Sequence, residues 1–228
     1  MPRQTVLPVD NTRDASLANF FGERNHALVE ELGKLVRGER PKRVLYLWGA
    51  EGSGKSHLLH ACCHAFSMTG RTPVYLALAQ QNIDTGLIQD VPGNTLVCVD
   101  DIDLVSGNKD FLVHLLALYE RLFNSSGKLV VSGNASVQSL GLALDDLSSR
   151  LTSGGVYQAL VPDDDEKRAA LKARASARGF SLDDNVVEFI MSHSQRDMPS
   201  LFGLLDRLDS ASLEAHRKIT IPFVRSQL

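Results

Sequence analysis

Apolar residues follow two rhythms over the first 160 or so positions and only one thereafter. Short apolar runs stand at Val44-Leu45-Tyr46-Leu47-Trp48, Pro73-Val74-Tyr75-Leu76-Ala77-Leu78, Thr95-Leu96-Val97-Cys98-Val99, Lys128-Leu129-Val130-Val131-Ser132 and Val156-Tyr157-Gln158-Ala159-Leu160. Runs of this length read as strands, and buried strands of parallel sheets carry such near-continuous apolar stretches. Between them the spacing becomes helical. Leu28, Leu32, Leu35 and Val36 share one face of a helix that Asn25 can cap and that Gly38 and Pro41 end. Phe111, Leu112, Leu115, Leu118, Leu122 and Phe123 mark another helix over 109–124, and 142–151 reads as a third. Residues 79–94 are polar and read as a short helix and a turn. Strands alternating with helices predict an α/β fold, with a five-stranded parallel sheet covered on both faces.

After Pro162 no strand pattern follows. Asp163-Asp164-Asp165-Glu166 reads as a dipole-favoured helix start, Gly179 as its end, and Asp183 or Asp184 as the start of the next helix. Leu201, Leu204, Leu205 and Leu208 form the core face of a third helix, and Thr220 and Pro222 open a short last one. Three parts are expected: an extended arm over 1–18, an α/β domain over 19–162 and a small all-helical domain over 163–228.

Composition narrows the classes. The 228 residues are 43% hydrophobic and 22% charged, with a formal net charge of -3, which argues against a surface that is wholly a nucleic-acid footprint. Cys62, Cys63 and Cys98 form no C-x-x-C pair and give no disulfide framework, and Cys98 reads as a small core residue. No signal peptide or membrane-length apolar run is seen, so a cytoplasmic protein without membrane contact is expected.

The chemistry is concentrated at Gly49-Ala50-Glu51-Gly52-Ser53-Gly54-Lys55-Ser56-His57. The first eight match G-x-x-x-x-G-K-[ST], placed after a strand and before a helix, as a phosphate-binding P-loop requires. Backbone N–H groups at the helix start, with the helix dipole, favour an anion there. Lys55 is expected to reach the outer phosphates and Ser56 to hold Mg²⁺, so ADP or ATP is the expected ligand. The third strand run ends in Asp100-Asp101. Asp100 fits a Mg²⁺ ligand at the C-terminal end of a neighbouring parallel strand, and Asp101 fits a carboxylate that orients attacking water. Asn134 follows the fourth strand and fits either a turn or a γ-phosphate contact. Arg150 fits either a solvated helix-end charge or an arginine finger. His57, His60 and His64 recur on one helix without a carboxylate at ligand spacing, which disfavours a metal cluster.

With these residues in hand, the chain resembles the AAA+ ATPases and, within them, the DnaA group. Phe20-Phe21-Gly22-Glu23-Arg24-Asn25, Leu45-Tyr46-Leu47-Trp48-Gly49, His57-Leu58-Leu59-His60-Ala61, Val99-Asp100-Asp101-Ile102, Ser148-Ser149-Arg150 and Ile219-Thr220-Ile221-Pro222-Phe223-Val224 follow in family order. The resemblance implies strand order 5-1-4-3-2, a helical lid, Asn134 as sensor 1 and Arg150 as arginine finger. No counterpart of the initiators' C-terminal helix-turn-helix follows, and the stretch between the second and third strands is shorter than their helical insertion. What remains is similar to the Hda-type DnaA-related proteins. Gln4-Thr5-Val6-Leu7-Pro8-Val9 resembles the segment by which such proteins dock on the DNA polymerase sliding clamp. Gln4 is its polar anchor, Leu7 and Val9 its apolar plugs, and Pro8 stiffens it. Pro199 falls where the initiators carry a sensor 2 Arg, with Arg196 in the preceding turn as the substitute; without one, turnover by this chain itself would be slow.

The resemblance implies a negative regulator of replication initiation that stimulates hydrolysis of DnaA-bound ATP. DNA would be met only through the clamp, and head-to-tail contacts would form with DnaA or between copies of the chain. Two other readings remain: a self-sufficient ATPase that loads or remodels a helicase, and a DNA-binding accessory factor of DnaA filaments.

Overall fold

The computed structural model describes residues 15–20, 22–79, 85–215 and 218–228. The arm residues Gln4, Leu7, Pro8 and Val9 lie outside them. The chain divides into two compact units, Met1–Val161 and Pro162–Leu228.

In the first unit, α1 (His26–Arg37), β1 (Val44–Trp48), α2 (Lys55–Ser67), β2 (Val74–Ala77), α3 (Thr85–Gln89) and β3 (Leu96–Asp100) follow in order. Then come α4 (Lys109–Asn124), β4 (Lys128–Gly133), α5 (Val137–Leu140), α6 (Asp145–Ser153) and β5 (Val156–Gln158). The strands form one parallel sheet of order β2-β3-β4-β1-β5, the reverse listing of the expected 5-1-4-3-2. Successive side chains on a strand point to opposite faces, and both faces of this sheet are covered. Val44, Tyr46, Val97, Val99, Leu129 and Val131 pack with residues of α4 and α6. Leu45, Leu47, Leu96, Cys98 and Val130 pack with residues of α1 and α2. That is why the strand runs are continuous in the sequence. Each leucine buried this way contributes roughly 2 kcal/mol.

The second unit holds α7 (Asp164–Ala177), α8 (Asp184–His193), α9 (Met198–Ala215) and α10 (Ile221–Arg225). Asp163 and Glu166 form a reciprocal capping box at the start of α7. The C-terminal end of that helix is followed by Gly179 at φ 86°. Leu201, Leu204, Leu205 and Leu208 are all buried in one apolar cluster with Val187, Ile190 and Val224. Among the described residues, no helix is long and apolar enough to cross a membrane.

Three local expectations differ from the structure. Asn25 stands at the N-cap of α1 without a side-chain cap bond. Its buried amide pairs instead with Leu160, donating from Nδ2 to the carbonyl at 3.0 Å and accepting from the N–H at 2.9 Å. That exchange mimics a strand neighbour for a backbone segment beyond β5, so β5 stops at Gln158 rather than Leu160. The third is in the stretch read as an extended arm. Leu17–Asn19 there form one helical turn, because Leu17 and Phe20 pack against the core beneath α1 and α2.

Candidate functional site

All five strands point the same way, so their C-terminal ends share one edge of the sheet, where ligands collect in such folds. The loop from β1 to α2 lies on that edge and accounts for residues 49–54. Gly49 can carry no side chain. A Cβ there would lie 2.2 Å from the Ala159 carbonyl oxygen and 2.8 Å from Ser53 Oγ. Gly54 turns into α2 at φ 86°, and a Cβ on it would meet the Phe20 ring at 2.6 Å. Phe20 thus covers the loop from the segment preceding α1, with its ring 5.9 Å from that of His57.

The charges and donors of the loop turn inward. The Lys55 ammonium donates to the carbonyls of Gly49 at 2.8 Å and Ala50 at 3.1 Å, and the residue is buried. Ser53 is buried with its hydroxyl unpaired. The 13-residue helix α2 begins at Lys55, so its first N–H groups face the curl. An unpaired buried hydroxyl, a glycine cradle that a Cβ would fill and a lysine at a helix start fit a nucleoside phosphate. Ser56 lies exposed in the first turn of α2.

Beside the loop, Asp100 ends β3 and is 4% exposed. One residue before it in the ladder, Val99 pairs with Val131, which brings the next residue of β4, Ser132, alongside Asp100. Ser132 Oγ donates to Asp100 Oδ1 and accepts from the Asp101 N–H at 3.0 Å. On the other side, Tyr75 of β2 donates its hydroxyl to Asp100 Oδ2 at 2.6 Å. The His60 ring stacks on Tyr75 at 4.1 Å. Both carboxylate oxygens are therefore held, and each keeps a lone pair for a Mg²⁺ shell.

Asp101 sits at φ 61°, ψ 52°, a left-handed conformation that is rare outside glycine. Burial, then the carboxylates of Asp100 and Asp103, hold its carboxyl above the usual range, with Lys55 pulling the other way. Asn134 pairs with Asp103 rather than with Asp100 or Asp101. Its N–H and its amide Nδ2 donate to Asp103 at 3.1 and 2.9 Å. Tyr46 fixes the adjoining turn by donating to the Ala135 carbonyl at 2.6 Å.

Arg150 stands in the last turn of α6, half exposed. Its guanidinium lies 3.2 Å from Glu120 and 5.7 Å from the centroid of Tyr119, both on α4 and outside the loop. In the second unit, Pro199 is the second residue of α9. Arg196 is engaged within its own unit, donating to the Met191 carbonyl at 3.1 Å and to Asp164 at 3.2 Å. Among the described residues, no group of His, Cys, Asp and Glu could hold a metal on its own, and Cys98 is buried in the core.

The structure thus gathers 49–57, Asp100 and Asp101 around one end of the sheet and holds the Arg150 side chain of α6 against α4. Sequence reasoning missed Tyr75, Ser132, Asp103 and the clamp made by Asn25. A hydroxyl at the C-terminal end of a strand next to the Asp100 strand was the available signal for Ser132. For Asp103 the sequence offered only its nearness to Asp100.

This sheet order, the β1–α2 loop and the acidic end of β3 define a P-loop protein of the AAA+ fold. Solved structures share it. Domain III of the Thermotoga maritima replication initiation protein DnaA superposes with a TM-score of 0.76 at 17% identity, over 95% of this chain and 96% of that one. The AMPPCP-bound DnaA of Aquifex aeolicus gives 0.70 at 18%, over 89% and 67%. The Thermotoga maritima RuvB branch migration motor gives 0.66 at 20%, over 95% and 72%. Residues 164–228 match the family described as Hda, lid domain. An uncharacterised protein of Haemophilus influenzae is 38% identical over 231 residues, covering 100% of this chain and 99% of its own length. The chain belongs to the Hda-type, DnaA-related AAA+ proteins.

Proposed function

We propose that the chain is a nucleotide-binding regulator of replication initiation that acts on ATP held by DnaA. Residues 49–57 would hold ADP or ATP, with Lys55 on the outer phosphates. Ser56 and Asp100 would hold Mg²⁺, which neutralises charge on the β- and γ-oxygens when bound. Tyr75 and Ser132 keep the Asp100 carboxylate in place for that role. Asp101 would orient the attacking water and Asn134 would meet the γ-phosphate. Gln4, Leu7, Pro8 and Val9 would dock the chain on the DNA polymerase sliding clamp, so that DNA is approached through the clamp.

The observation that carries this reading is the setting of Arg150. Its partners, Glu120 and Tyr119, lie on α4, which leaves the half-exposed guanidinium at the surface, away from the chain's own phosphate loop. An arginine offered to a neighbouring molecule's nucleotide stabilises transition-state charge there and is worth roughly 10³–10⁵ in rate. Pro199 and the engagement of Arg196 agree with slow turnover by the chain itself. The decisive assay is hydrolysis of DnaA-bound ATP with DNA-loaded clamp present. Arg150→Ala is expected to lose the stimulation by about 10³-fold while keeping ADP affinity. Full stimulation by that variant would remove the finger. Unchanged clamp binding by Gln4→Ala with Leu7→Ala would remove the arm.

A further inference from the structure

The opposite edge of the sheet carries a second concentration of charge that the proposed function does not use. Arg43 precedes β1, Arg71 precedes β2 and Lys128 begins β4, so the parallel strands bring all three to the N-terminal edge. The C-terminal ends of α2 and α4 reach the same edge, contributing Phe66 and Phe123. Arg71 lies 4.2 Å and Lys128 5.4 Å from the centroid of the one Phe66 ring, while Arg43 lies 5.5 Å from that of Phe123.

Among the described residues, no ion pair reaches these cations. Arg43 donates from Nη2 to the Phe123 carbonyl at 3.1 Å, but its Nη1 is buried without a partner. Arg71 donates to the Thr69 hydroxyl at 3.2 Å and, among the described residues, makes no ion pair. Lys128 is 6% exposed, and among the described residues no hydrogen bond or ion pair reaches its ammonium. Burial, and then the like charges of Arg71 and Arg43, lower its proton affinity. A Cβ on Gly38, the C-cap of α1, would lie 3.9 Å from Lys128 Nζ, so helix-end dipoles supply part of the missing charge. A guanidinium nitrogen buried without a partner, beside a second guanidinium and the ammonium of a largely buried lysine, is costly unless an anion completes it.

We propose that Arg43, Arg71 and Lys128 form a second anion site, separate from the nucleotide loop, that takes a phosphate group. Donors from three chain segments suit a tetrahedral oxyanion better than a planar carboxylate, and guanidinium with ammonium is the usual donor set for phosphate. The exposed Arg71 and the half-exposed Phe123 mark its solvent side. The phosphate comes either from a nucleic-acid backbone or from a free phosphate.

Thermal unfolding of the full chain, with inorganic phosphate titrated against chloride at constant ionic strength, tests the site. Phosphate is expected to raise Tm saturably. Lys55→Ala, which disables the nucleotide loop, should keep that gain. Lys128→Met should abolish it while remaining folded, because it keeps the apolar stem beside the Phe66 ring. Arg71→Gln should weaken the apparent affinity roughly tenfold or more, as the loss of one charge-assisted contact does. A gain lost in Lys55→Ala but kept in Lys128→Met would assign the phosphate to the nucleotide loop and overturn the proposal, as would no gain beyond chloride. Anisotropy of a short fluorescent DNA duplex separates the sources. Salt-dependent binding weakened by Lys128→Met and Arg71→Gln identifies backbone phosphate. No duplex binding, with the phosphate effect intact, identifies a free phosphate.

Discussion

The two edges of the same sheet solve the problem of buried charge in opposite ways. At the C-terminal edge every described carboxylate oxygen of Asp100 has a donor, and Ser132 joins Asp100 to the backbone of Asp101. At the N-terminal edge three cations gather over two aromatic rings, and among the described residues Lys128 has no bonded partner. One edge is finished by the chain itself. The other is left, among the described residues, for an anion to finish. Buried polar groups that are fully paired fix geometry, whereas an unpaired one stores cost that a ligand can relieve.

The largest effect that would sharpen this contrast is at Gly49. Gly49→Ala places a methyl 2.2 Å from a backbone oxygen that cannot swing aside, since Ala159 is tied to Trp48 at 2.7 Å. It should cost about 3 kcal/mol or more of stability, read by urea unfolding, and abolish ADP binding. Ser132→Ala comes next. It strips a donor from Asp100 and an acceptor from the Asp101 N–H, so about 2 kcal/mol should be lost. If Ser132→Ala unfolds at the parental urea concentration, the C-terminal edge is not the self-completed network described.

How much of this was legible in the sequence differs between the edges. Continuous runs such as Leu45-Tyr46-Leu47 gave away strands buried on both faces, and with them the parallel α/β sheet. The phosphate loop was legible because its glycines are required by close backbone approach, which acts residue by residue. Leu201, Leu204, Leu205 and Leu208 disclosed the core of the helical unit by spacing alone. Tyr75 and Ser132 were not legible as partners of Asp100. Both sit in strand runs where a hydroxyl looks like ordinary sheet composition, and only the lateral pairing of β2, β3 and β4 brings them together. Asn25 was misread because a helix-start Asn favours capping locally, and a contact with Leu160, 135 positions away, overrode that preference. The cationic edge was hidden for the same reason. Arg43, Arg71 and Lys128 are far apart in the chain and look like scattered surface charges.

Tyr75→Phe probes the same aspartate more gently. The ring stays under His60, and only the hydrogen bond to Asp100 Oδ2 is deleted. About 1.5 kcal/mol should be lost, less than for Ser132→Ala because no backbone donor is orphaned. The double variant tests whether the two hydroxyls act as one network. A loss larger than the sum of the single variants would mark coupling through the carboxylate they share.

The smallest expected change carries the opposite sign, and it tests the comparison most directly. At the C-terminal edge, removal of the Ser132 or Tyr75 hydroxyl should destabilise, because each one leaves a partner behind. Lys128→Met removes a charge that leaves no partner behind, and it keeps an apolar stem over the Phe66 ring. In phosphate-free buffer it should stabilise the protein by about 1 kcal/mol, measured as a shift in the urea midpoint at unchanged slope. A destabilised Lys128→Met would mean that the helix-end carbonyls of α1 and the Phe66 ring already satisfy the ammonium. The N-terminal edge would then be as complete as the other, and no anion would be needed to finish it.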